Sequence, residues 1–428
     1  MEIKVFKFGG TSVRDTEQIR NVGKIMTGEG NNKITLVVSA MGKTTNALEK
    51  VVSGYMNQDQ EVRSLLESIK RNHFTIAAEL FEDPSEVLAL INDLFVEIEW
   101  ILDDELHDGY DYLYDQIVSI GELVSSHILN SYLNSIGVKS VWLDIRDILI
   151  TDEAYREAKV NWEITSEKVK AVIPSILEEH DVVVTQGFIG STQENNTTTL
   201  GREGSDYSAG ILSYCLDAHS MHIWKDVPGV LSADPAQFNN VTHIERLSYK
   251  EAVEMTYYGA KVIHPKTIKP LQNKSIPMYV RPFNDPLSSG TLIADDTGIS
   301  YPPVIVIEPN QCLLHISTND FSFVAEYHLS MLFDLLSKHR IKVNMMRNTA
   351  ISFTISVNKD ERKIKSLLDG LSSEFKVIID NNLELITIRH YTLDVLKSMK
   401  KGKVILLEER LKDTVRMVVR DVPLMTRK

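Results

Sequence analysis

Cysteine is scarce in this sequence of 428 residues, and the two that occur, Cys215 and Cys312, form no CxxC pair. This scarcity excludes a disulfide framework and favours a reducing compartment. Long apolar runs are missing too, and the first residues lack the apolar core of a signal peptide. We therefore expect a cytoplasmic protein with no membrane partner.

Long basic runs are also missing from the sequence. The chain has 46 Lys and Arg against 59 Asp and Glu, which gives a formal net charge of −13. A nucleic acid or an anionic membrane calls for concentrated positive charge, so neither is expected as a partner. The length predicts two or three domains, each large enough to bury its own core.

The first 300 or so residues alternate short β-rich runs with longer stretches of helical periodicity. This alternation predicts an α/β fold of βαβ units with a largely parallel sheet. A capping box at Ser248 and Glu251 predicts one further helix start. The predicted strands are 3–8, 34–39, 138–143, 182–186 and 222–224. The predicted helices are 13–26, 112–136, 166–179 and 206–216, with a helical insertion over 48–105.

A stretch rich in Asp, Gly, Ser and Pro follows residue 295 and predicts a domain boundary. Beyond it, the order strand, helix, strand, strand, helix, strand over about 312–380 is that of a ferredoxin-like βαββαβ unit. A second, incomplete unit follows at 383–428, and 304–311 is the candidate for its missing strand. The predicted domains are 1–295 and 304–428.

The segment 7–12, with the sequence KFGGTS, follows a predicted strand and precedes a helix. Glycines at such a turn let backbone N–H groups approach a phosphate, and the lysine supplies compensating charge. A plain tight turn is the simpler explanation for two glycines alone, but the complete string is more specific. The candidate phosphate-binding residues are Lys7, Gly9, Gly10, Thr11 and Ser12.

Polar side chains at two further places are candidates for a ligand pocket. Ser39, Thr45 and Asn46 follow the second predicted strand, where open α/β sheets bind ligands, although such residues are equally common in plain loops. A Walker A loop is rejected here because Val37 stands where that motif requires glycine. Glu122 interrupts an apolar helical stretch, so its carboxylate must face solvent or find a partner.

The richest segment is 197–207, where two glycines lead Arg202 and Asp206 into a helix start. Arg202 can bind a carboxylate with two hydrogen bonds, and Asp206 can organise a cation. The alternative is a plain helix cap beside a solvated arginine. Turns over 225–231 are suited to a nucleotide, and Lys261 is suited to a second phosphate contact.

In this order, the segments resemble the aspartate kinases of the amino-acid kinase family, over essentially the whole of residues 1 to 295. Residues 304 to 428 are similar to the tandem ACT regulatory domains of that family. The resemblance implies the amino-acid kinase fold, a mainly parallel sheet between helices, followed by ferredoxin-like ACT domains. The motifs that carry it are 7–12, Ser39 with 45–46, Gly121 with Glu122, 197–207, 224–229 and 259–265.

The resemblance implies transfer of the γ-phosphoryl group of ATP to the side-chain carboxylate of L-aspartate, the first step toward lysine, threonine and methionine. That carboxylate is already ionised at neutral pH, so catalysis reduces to positioning and charge neutralisation. Mg²⁺ would bridge the ATP oxygens, and no residue is assigned as a metal ligand. The implied catalytic residues are Lys7, Asp206 and Lys261. The implied aspartate-binding residues are Ser39, Thr45, Glu122, Arg202 and Ser205. The implied nucleotide-binding residues are Gly9, Gly10, Thr11, Ser12, Lys225, Asp226, Gly229, Leu231 and Lys261.

Several positions depart from the pattern of the family. Glu203 stands where glycine usually follows the arginine, Lys225 where threonine is frequent, and Ala236 where arginine is common. In the ACT region, Asn344 replaces an aspartate that lysine-sensitive relatives use to bind their effector, and Arg347 adds positive charge. We therefore expect weak or absent inhibition by lysine.

Two alternative functions remain open. Another amino-acid kinase, acting on glutamate, N-acetylglutamate, carbamate or a nucleoside monophosphate, would share most motifs, but Glu122 favours a substrate with a free α-ammonium group. A catalytically silent amino-acid sensor would share the ACT domains, but the intact catalytic motifs argue against it. The short second ACT unit also predicts a homodimer or larger homo-oligomer, because edge strands of small sheets commonly pair between chains.

Overall fold

A computed structural model describes residues 1–30, 32–260, 263–296, 298–319, 323 and 326–422. The chain divides into two compact units. The first unit comprises Met1–Val230, His243–Tyr257 and Lys261–Ile299. The second unit comprises Leu231–Thr242, Tyr258–Ala260 and Ser300–Lys428. Two short segments from the first 300 residues therefore belong to the second unit.

The strands of the first 300 residues are β1 (Ile3–Phe8), β2 (Lys33–Val38), β3 (Ser140–Trp142), β4 (Val182–Gln186), β5 (Ile189–Ser191), β6 (Thr197–Thr199), β7 (Ser220–Lys225), β8 (Val230–Leu231), β9 (His243–Ile244), β10 (Arg246–Ser248), β11 (Met278–Pro282) and β12 (Thr291–Ala294). Eight of them form one sheet in the order β10-β12-β11-β7-β1-β2-β4-β3. Every neighbouring pair in it is parallel except β11 with β12. The predicted parallel sheet is confirmed.

The helices of this region are α1 (Thr16–Gly28), α2 (Thr44–Met56), α3 (Val62–Leu80), α4 (Ser85–Asp103), α5 (Tyr110–Val118), α6 (Ile120–Ser135), α7 (Trp162–Glu179), α8 (Gly204–Cys215), α9 (Tyr249–Tyr257) and α10 (Pro265–Asn273). The central strands are apolar on both faces: Val5, Phe6 and Phe8 of β1 are fully buried. This pattern is typical of a parallel sheet covered by helices on both sides.

The helices predicted over 166–179 and 206–216 begin earlier in the structure, at Trp162 and Gly204. The other two predicted helices differ for identifiable local reasons. The helix predicted over 112–136 is two helices, α5 and α6, which are separated at Ser119. The Ser119 hydroxyl donates a hydrogen bond to the carbonyl of Gln116 at 2.9 Å, a local bond that competes with the regular helix pattern. The helix predicted from residue 13 begins instead at Thr16, because Asp15 caps it by accepting from the Gln18 N–H.

The second unit contains one six-stranded sheet in the order β14-β15-β13-β16-β18-β17, in which all neighbours are antiparallel. Its strands are β13 (Val304–Thr318), β14 (Val343–Asn348), β15 (Ser352–Asn358), β16 (Phe375–Arg389), β17 (Lys403–Arg410) and β18 (Thr414–Asp421). Its helices are α11 (Glu326–Lys338), α12 (Glu361–Leu371) and α13 (Leu393–Lys400). The predicted βαββαβ order is confirmed.

Two long strands, β13 and β16, each serve both halves of this sheet. The first part of β13, 304–308, pairs with 385–389 of β16, and its later part pairs with both β15 and the start of β16. Register shifts between Glu308 and Leu313 mark the change from one half to the other. The strand expected before residue 311 therefore completes the second half, since β18 pairs with the same stretch of β16 on its other edge and β17 pairs with β18.

Separate apolar clusters stabilise the two halves of the second unit. Helices α11 and α12 cover one cluster, which includes Leu314, Phe353 and Ile355. Helix α13 packs through Leu396 on a second cluster that includes Ile386. None of the helices in the described part of the chain is long and apolar enough to cross a bilayer.

Candidate active site

The carboxyl ends of three central strands meet at one edge of the large sheet. Strand β1 lies between β2 and β7 and runs parallel to both, with Lys7 beside Val37 on one side and Ile223 on the other. The loops that follow these strands therefore lie together. They carry the glycines after Lys7 as well as Ser39, and Lys225 is the last residue of β7. Open α/β sheets bind ligands at such an edge.

A buried ion pair lies at this edge. The Lys7 Nζ is 2.6 Å from Oδ1 of Asp206, and the Lys225 Nζ is 3.9 Å from its Oδ2. Burial alone would raise the pKa of Asp206, but the two ammonium groups hold it below its usual value. Because two lysines face one carboxylate, a net positive charge remains, which is suited to an anion such as a phosphate.

Helix α8 places Asp206 in its first turn, after a residue in an unusual backbone conformation. Glu203, which caps α8, has φ 56°, in the left-handed region where glycine is favoured. The departure from glycine noted in the sequence therefore falls on a position where a side chain strains the backbone. Gly204 follows, and a Cβ there would lie 2.6 Å from the Phe188 ring.

Gly9 and Gly10 follow Lys7, and a side chain at each position would meet a different neighbour. A Cβ on Gly10 would lie 2.7 Å from the carbonyl oxygen of Ala40, and the Gly42 N–H donates to the Gly10 carbonyl at 2.9 Å. Gly10 thus lets the loops after β1 and β2 touch. A Cβ on Gly9 would lie 3.3 Å from the Lys7 Nζ. Ser12 is buried and Thr11 is exposed.

Glu122 lies in the first turn of α6 and is only 2% exposed, so the solvated alternative for this side chain is wrong. Its Oε1 accepts a long hydrogen bond, 3.4 Å, from the Ala40 N–H. Its Oε2 has no hydrogen-bond partner among the described residues. Burial raises the pKa of Glu122 to about 8, against a smaller opposing effect of the Ala40 N–H. A buried carboxyl of this kind is suited to a cationic ligand group.

The other candidate substrate residues surround this edge. The Ser125 hydroxyl on α6 donates to the Ser39 carbonyl at 2.8 Å, and Thr45 is half-buried in the first turn of α2. Ser205 packs against the loop after β4, where a Cβ on Gly187 would lie 2.5 Å from the Ser205 Cβ. Arg202 is exposed in the turn between β6 and α8 and forms no ion pair with any described residue.

The candidate nucleotide residues are less well defined. Lys225 is half-buried at the end of β7, and Asp226 is exposed. Gly229 has φ 142°, and a Cβ there would lie 2.4 Å from the His243 ring, so only glycine fits. Leu231, in β8, belongs to the second unit. Lys261 lies outside the described residues.

Three residues near this edge, Asp115, Tyr114 and Arg156, were not identified as candidate site residues from the sequence. Asp115 is fully buried, and the Arg156 guanidinium lies 4.6 Å from the ring centre of Tyr114. Burial raises the pKa of Tyr114 to about 12, and the charges around it include those of Arg156, Glu122 and Asp115. Asp115 stands seven residues before Glu122, so a second acid two helical turns away on the same face was the available signal.

Among the described residues, no group of three or more His, Cys, Asp or Glu side chains is placed to hold a metal ion. Asp206 is the carboxylate that the fold brings to Lys7 and Lys225. Mg²⁺ is commonly bound through one or two carboxylates together with the phosphates of a substrate. The donor set around Asp206 is therefore compatible with Mg²⁺ that arrives on a nucleotide.

Comparison with known proteins agrees with this geometry. The model of the amino acid kinase family matches residues 2–282. The chain is 31% identical over 397 residues to lysine-sensitive aspartokinase 3 of Escherichia coli, covering 90% of this chain and 87% of that protein. It is 31% identical to the chloroplastic aspartokinase 1 of Arabidopsis thaliana, covering 89% and 68%. The crystal structure of E. coli aspartokinase III with aspartate and ADP superposes with a TM-score of 0.83 at 28% identity, covering 98% and 96%.

Proposed function

This chain belongs to the amino acid kinase family, and from that premise we propose that Lys7 and Asp206 serve the phosphates of ATP while Glu122 and Arg202 bind L-aspartate. The chain is an aspartate kinase: it transfers a phosphoryl group from ATP to the side-chain carboxylate of L-aspartate. The buried contact between Lys7 and Asp206, 2.6 Å long, is the observation that best supports the phosphate side.

The reaction needs charge neutralisation more than proton transfer. The attacking carboxylate has an ordinary pKa of about 3.9 and is ionised at neutral pH, so no general base is required. In the transition state, negative charge spreads over the oxygens of the transferring phosphoryl group. Lys7 is held in place by Asp206 and shielded from water, so its ammonium group can stabilise that charge without reorganising.

The substrate pocket is assigned by charge. The Glu122 carboxylate is buried, and its Oε2 has no hydrogen-bond partner among the described residues. An α-ammonium group would donate a hydrogen bond to this oxygen. Arg202 is exposed and can bind a substrate carboxylate with two hydrogen bonds. Ser39, Thr45 and Ser205 supply the remaining polar groups. A substrate with an acetylated amine would leave Glu122 without a cation, so it is disfavoured.

Mg²⁺ and the nucleotide complete the proposed site. Asp206 is the residue that would orient Mg²⁺, which would supply charge neutralisation for the ATP phosphates. The amides of Gly9 and Gly10 with Thr11 and Ser12 are proposed for the phosphates. For the rest of the nucleotide we propose Lys225, Asp226, Gly229, Leu231 and Lys261. We also propose that the enzyme works in the cytoplasm.

The decisive experiment is an ADP-release assay with L-aspartate, L-glutamate, N-acetyl-L-glutamate and UMP as acceptors. We expect turnover with L-aspartate and a loss of about 100-fold or more in kcat for Lys7→Ala. Lys4→Ala is the matched control, because Lys4 lies on the same strand but pairs with Glu29 away from the site. Turnover with another acceptor alone, or with none, would contradict the proposed function.

Removing Lys7 leaves Asp206 buried with a weaker partner, which destabilises many proteins by several kcal/mol. The double variant Lys7→Met with Asp206→Asn removes both charges together and separates folding from catalysis. We expect it to melt near the wild-type temperature and to remain inactive. A folded and active double variant would exclude Lys7 from the reaction.

A further inference from the structure

One buried carboxylate near the site has no role in the function proposed so far. Asp115, on α5, is fully buried. Its Oδ2 accepts from the Thr199 N–H at 2.8 Å and from the Arg156 N–H at 3.0 Å. Its Oδ1 accepts from the Thr199 hydroxyl at 2.7 Å and, at 3.2 Å, from the same Arg156 N–H. A charge at this depth is stable only because its oxygens are fully used.

The donors belong to two segments that meet beside Arg202. Thr199 ends β6, three residues before Arg202, and its carbonyl accepts from the Ala158 N–H at 3.0 Å. Gly201 has φ 76°, and a Cβ there would lie 3.0 Å from the Arg156 carbonyl oxygen. The turn at Arg156 therefore supports the chain just before Arg202, and Asp115 holds both pieces.

We propose that Asp115 is a positioning residue for aspartate binding, which fixes the β6 segment and the turn at Arg156 so that Arg202 meets a carboxylate of the substrate. This inference rests on the proposed function, in which Arg202 binds that carboxylate. Arg202 itself has no ion-pair partner among the described residues, so its backbone is what determines where its guanidinium can reach. A loop fixed before binding loses less conformational entropy when the substrate arrives.

The protonation state of Asp115 supplies an independent test. Burial raises its pKa to about 6, against the opposing effects of the Arg156 and Thr199 hydrogen bonds. The groups around it titrate elsewhere: the pKa values of Tyr114, Tyr155 and Arg156 are all raised, and that of Glu122 is near 8. Below about pH 6 one oxygen carries a proton and accepts less well, so the aspartate KM should rise.

The experiment compares Asp115→Ala with Asp115→Asn. Asparagine keeps an oxygen for the two N–H donors and offers its NH₂ to the Thr199 hydroxyl, so it should retain most of the hydrogen bonds but never titrate. We expect Asp115→Ala to raise the aspartate KM about tenfold or more and the ATP KM less than about twofold. Asp115→Asn should stay within about threefold of wild type.

The pH profile separates positioning from mere structural support. Between about pH 7 and pH 5.5 the wild-type aspartate KM should rise more steeply than that of Asp115→Asn, in which Glu122 still titrates but residue 115 does not. Because Asp115→Ala leaves buried donors unpaired and destabilises the fold, Thr199→Val provides a milder test that removes only the hydroxyl donor. Its matched control is Thr198→Val on the same strand, whose hydroxyl bonds to Thr151 instead.

We expect Thr199→Val to raise the aspartate KM about three- to tenfold and Thr198→Val to leave it unchanged. Equal increases in both KM values, equal defects in the two threonine variants, or an unaltered pH profile in Asp115→Asn would overturn the inference. A wild-type enzyme that does not phosphorylate aspartate would instead contradict the proposed function, so the two failures are distinguishable.

Discussion

Glu203 is a residue beside the candidate site at which the sequence and the backbone disagree. Its φ of 56° costs a side-chain-bearing residue about 1 to 2 kcal/mol. Glu203→Gly removes this strain but gains flexibility when unfolded, so we expect a net stabilisation of about 0.5 to 1 kcal/mol. Thermal unfolding measures it. Glu203→Ala is the control, since it removes the charge but keeps the Cβ, and a gain of the same size there would contradict strain as the cause.

Glu122 should make aspartate binding depend on pH. With a pKa of about 8, the carboxyl of the free enzyme is mostly protonated at pH 7 and mostly ionised at pH 9. Only the ionised form pairs with an ammonium group, so the apparent aspartate KM should fall about tenfold over this range. The ATP KM should not follow it.

The matched variant for this prediction is Glu122→Gln, which preserves the shape of the side chain without its charge. We expect an aspartate KM that is constant between pH 7 and pH 9 and raised roughly 10- to 150-fold over wild type at pH 9, because one charge-assisted hydrogen bond of about 1.5 to 3 kcal/mol is lost. A Gln variant with the wild-type pH profile would show that another group titrates.

Among the strands and helices, the sequence predicts the bounds correctly where the residues of the segment itself indicate them. Strands β1 and β4 have the predicted bounds because each is a short run rich in β-branched or aromatic residues that is followed directly by a glycine. The capping box also held, since the Glu251 N–H bonds to the Ser248 hydroxyl at 3.1 Å. Strands β11 and β12 were missed because they are short and only every second residue in them is fully buried, so their identity depends on pairing within the sheet.

The same distinction applies to the site. The segment containing Lys7 could be identified because a turn, two glycines and a charge are adjacent in the sequence. The place of Asp115 could not, because two of its three donors are backbone N–H groups, at Arg156 and Thr199, which any residue type except proline would supply. Buried hydrogen bonds to the backbone over such separations leave no pattern in the sequence.

Strand β14 contains Asn344, the residue from which we predict weak inhibition by lysine. Asn344 is 5% exposed, and its side-chain NH₂ donates to Gln311 and Asn358 at 2.9 and 2.8 Å. A neutral amide in this place lacks the charge of an aspartate, which weakens an ammonium contact by about 1.5 to 3 kcal/mol. We expect half-maximal inhibition by L-lysine only above about 1 mM, with threonine and methionine titrated in parallel. Inhibition at submillimolar lysine would show this prediction to be wrong.

The whole molecule should be an oligomer. The sheet of the second unit ends in two edge strands, β14 and β17, and Val404 on β17 is half exposed. Unpaired edges with apolar side chains favour pairing with a second chain. We expect sedimentation velocity at micromolar concentration to give at least twice the mass of one chain. A monomer with full activity would contradict this prediction.

The pairing of β13 with β16 also determines when the second unit can fold during synthesis of the chain. Val304 pairs with Arg389, so its partner leaves the ribosome 85 residues later, a delay on the order of 4 to 17 s at typical elongation rates. The first unit can fold during that interval. The sheet of the second unit is still incomplete, so the apolar side chains of Ile305 and Ile307 lack the residues that cover them in the folded protein. During this period the nascent chain carries a folded first unit and an unfolded second unit. Binding of a chaperone to the exposed apolar residues would protect the chain most at this stage.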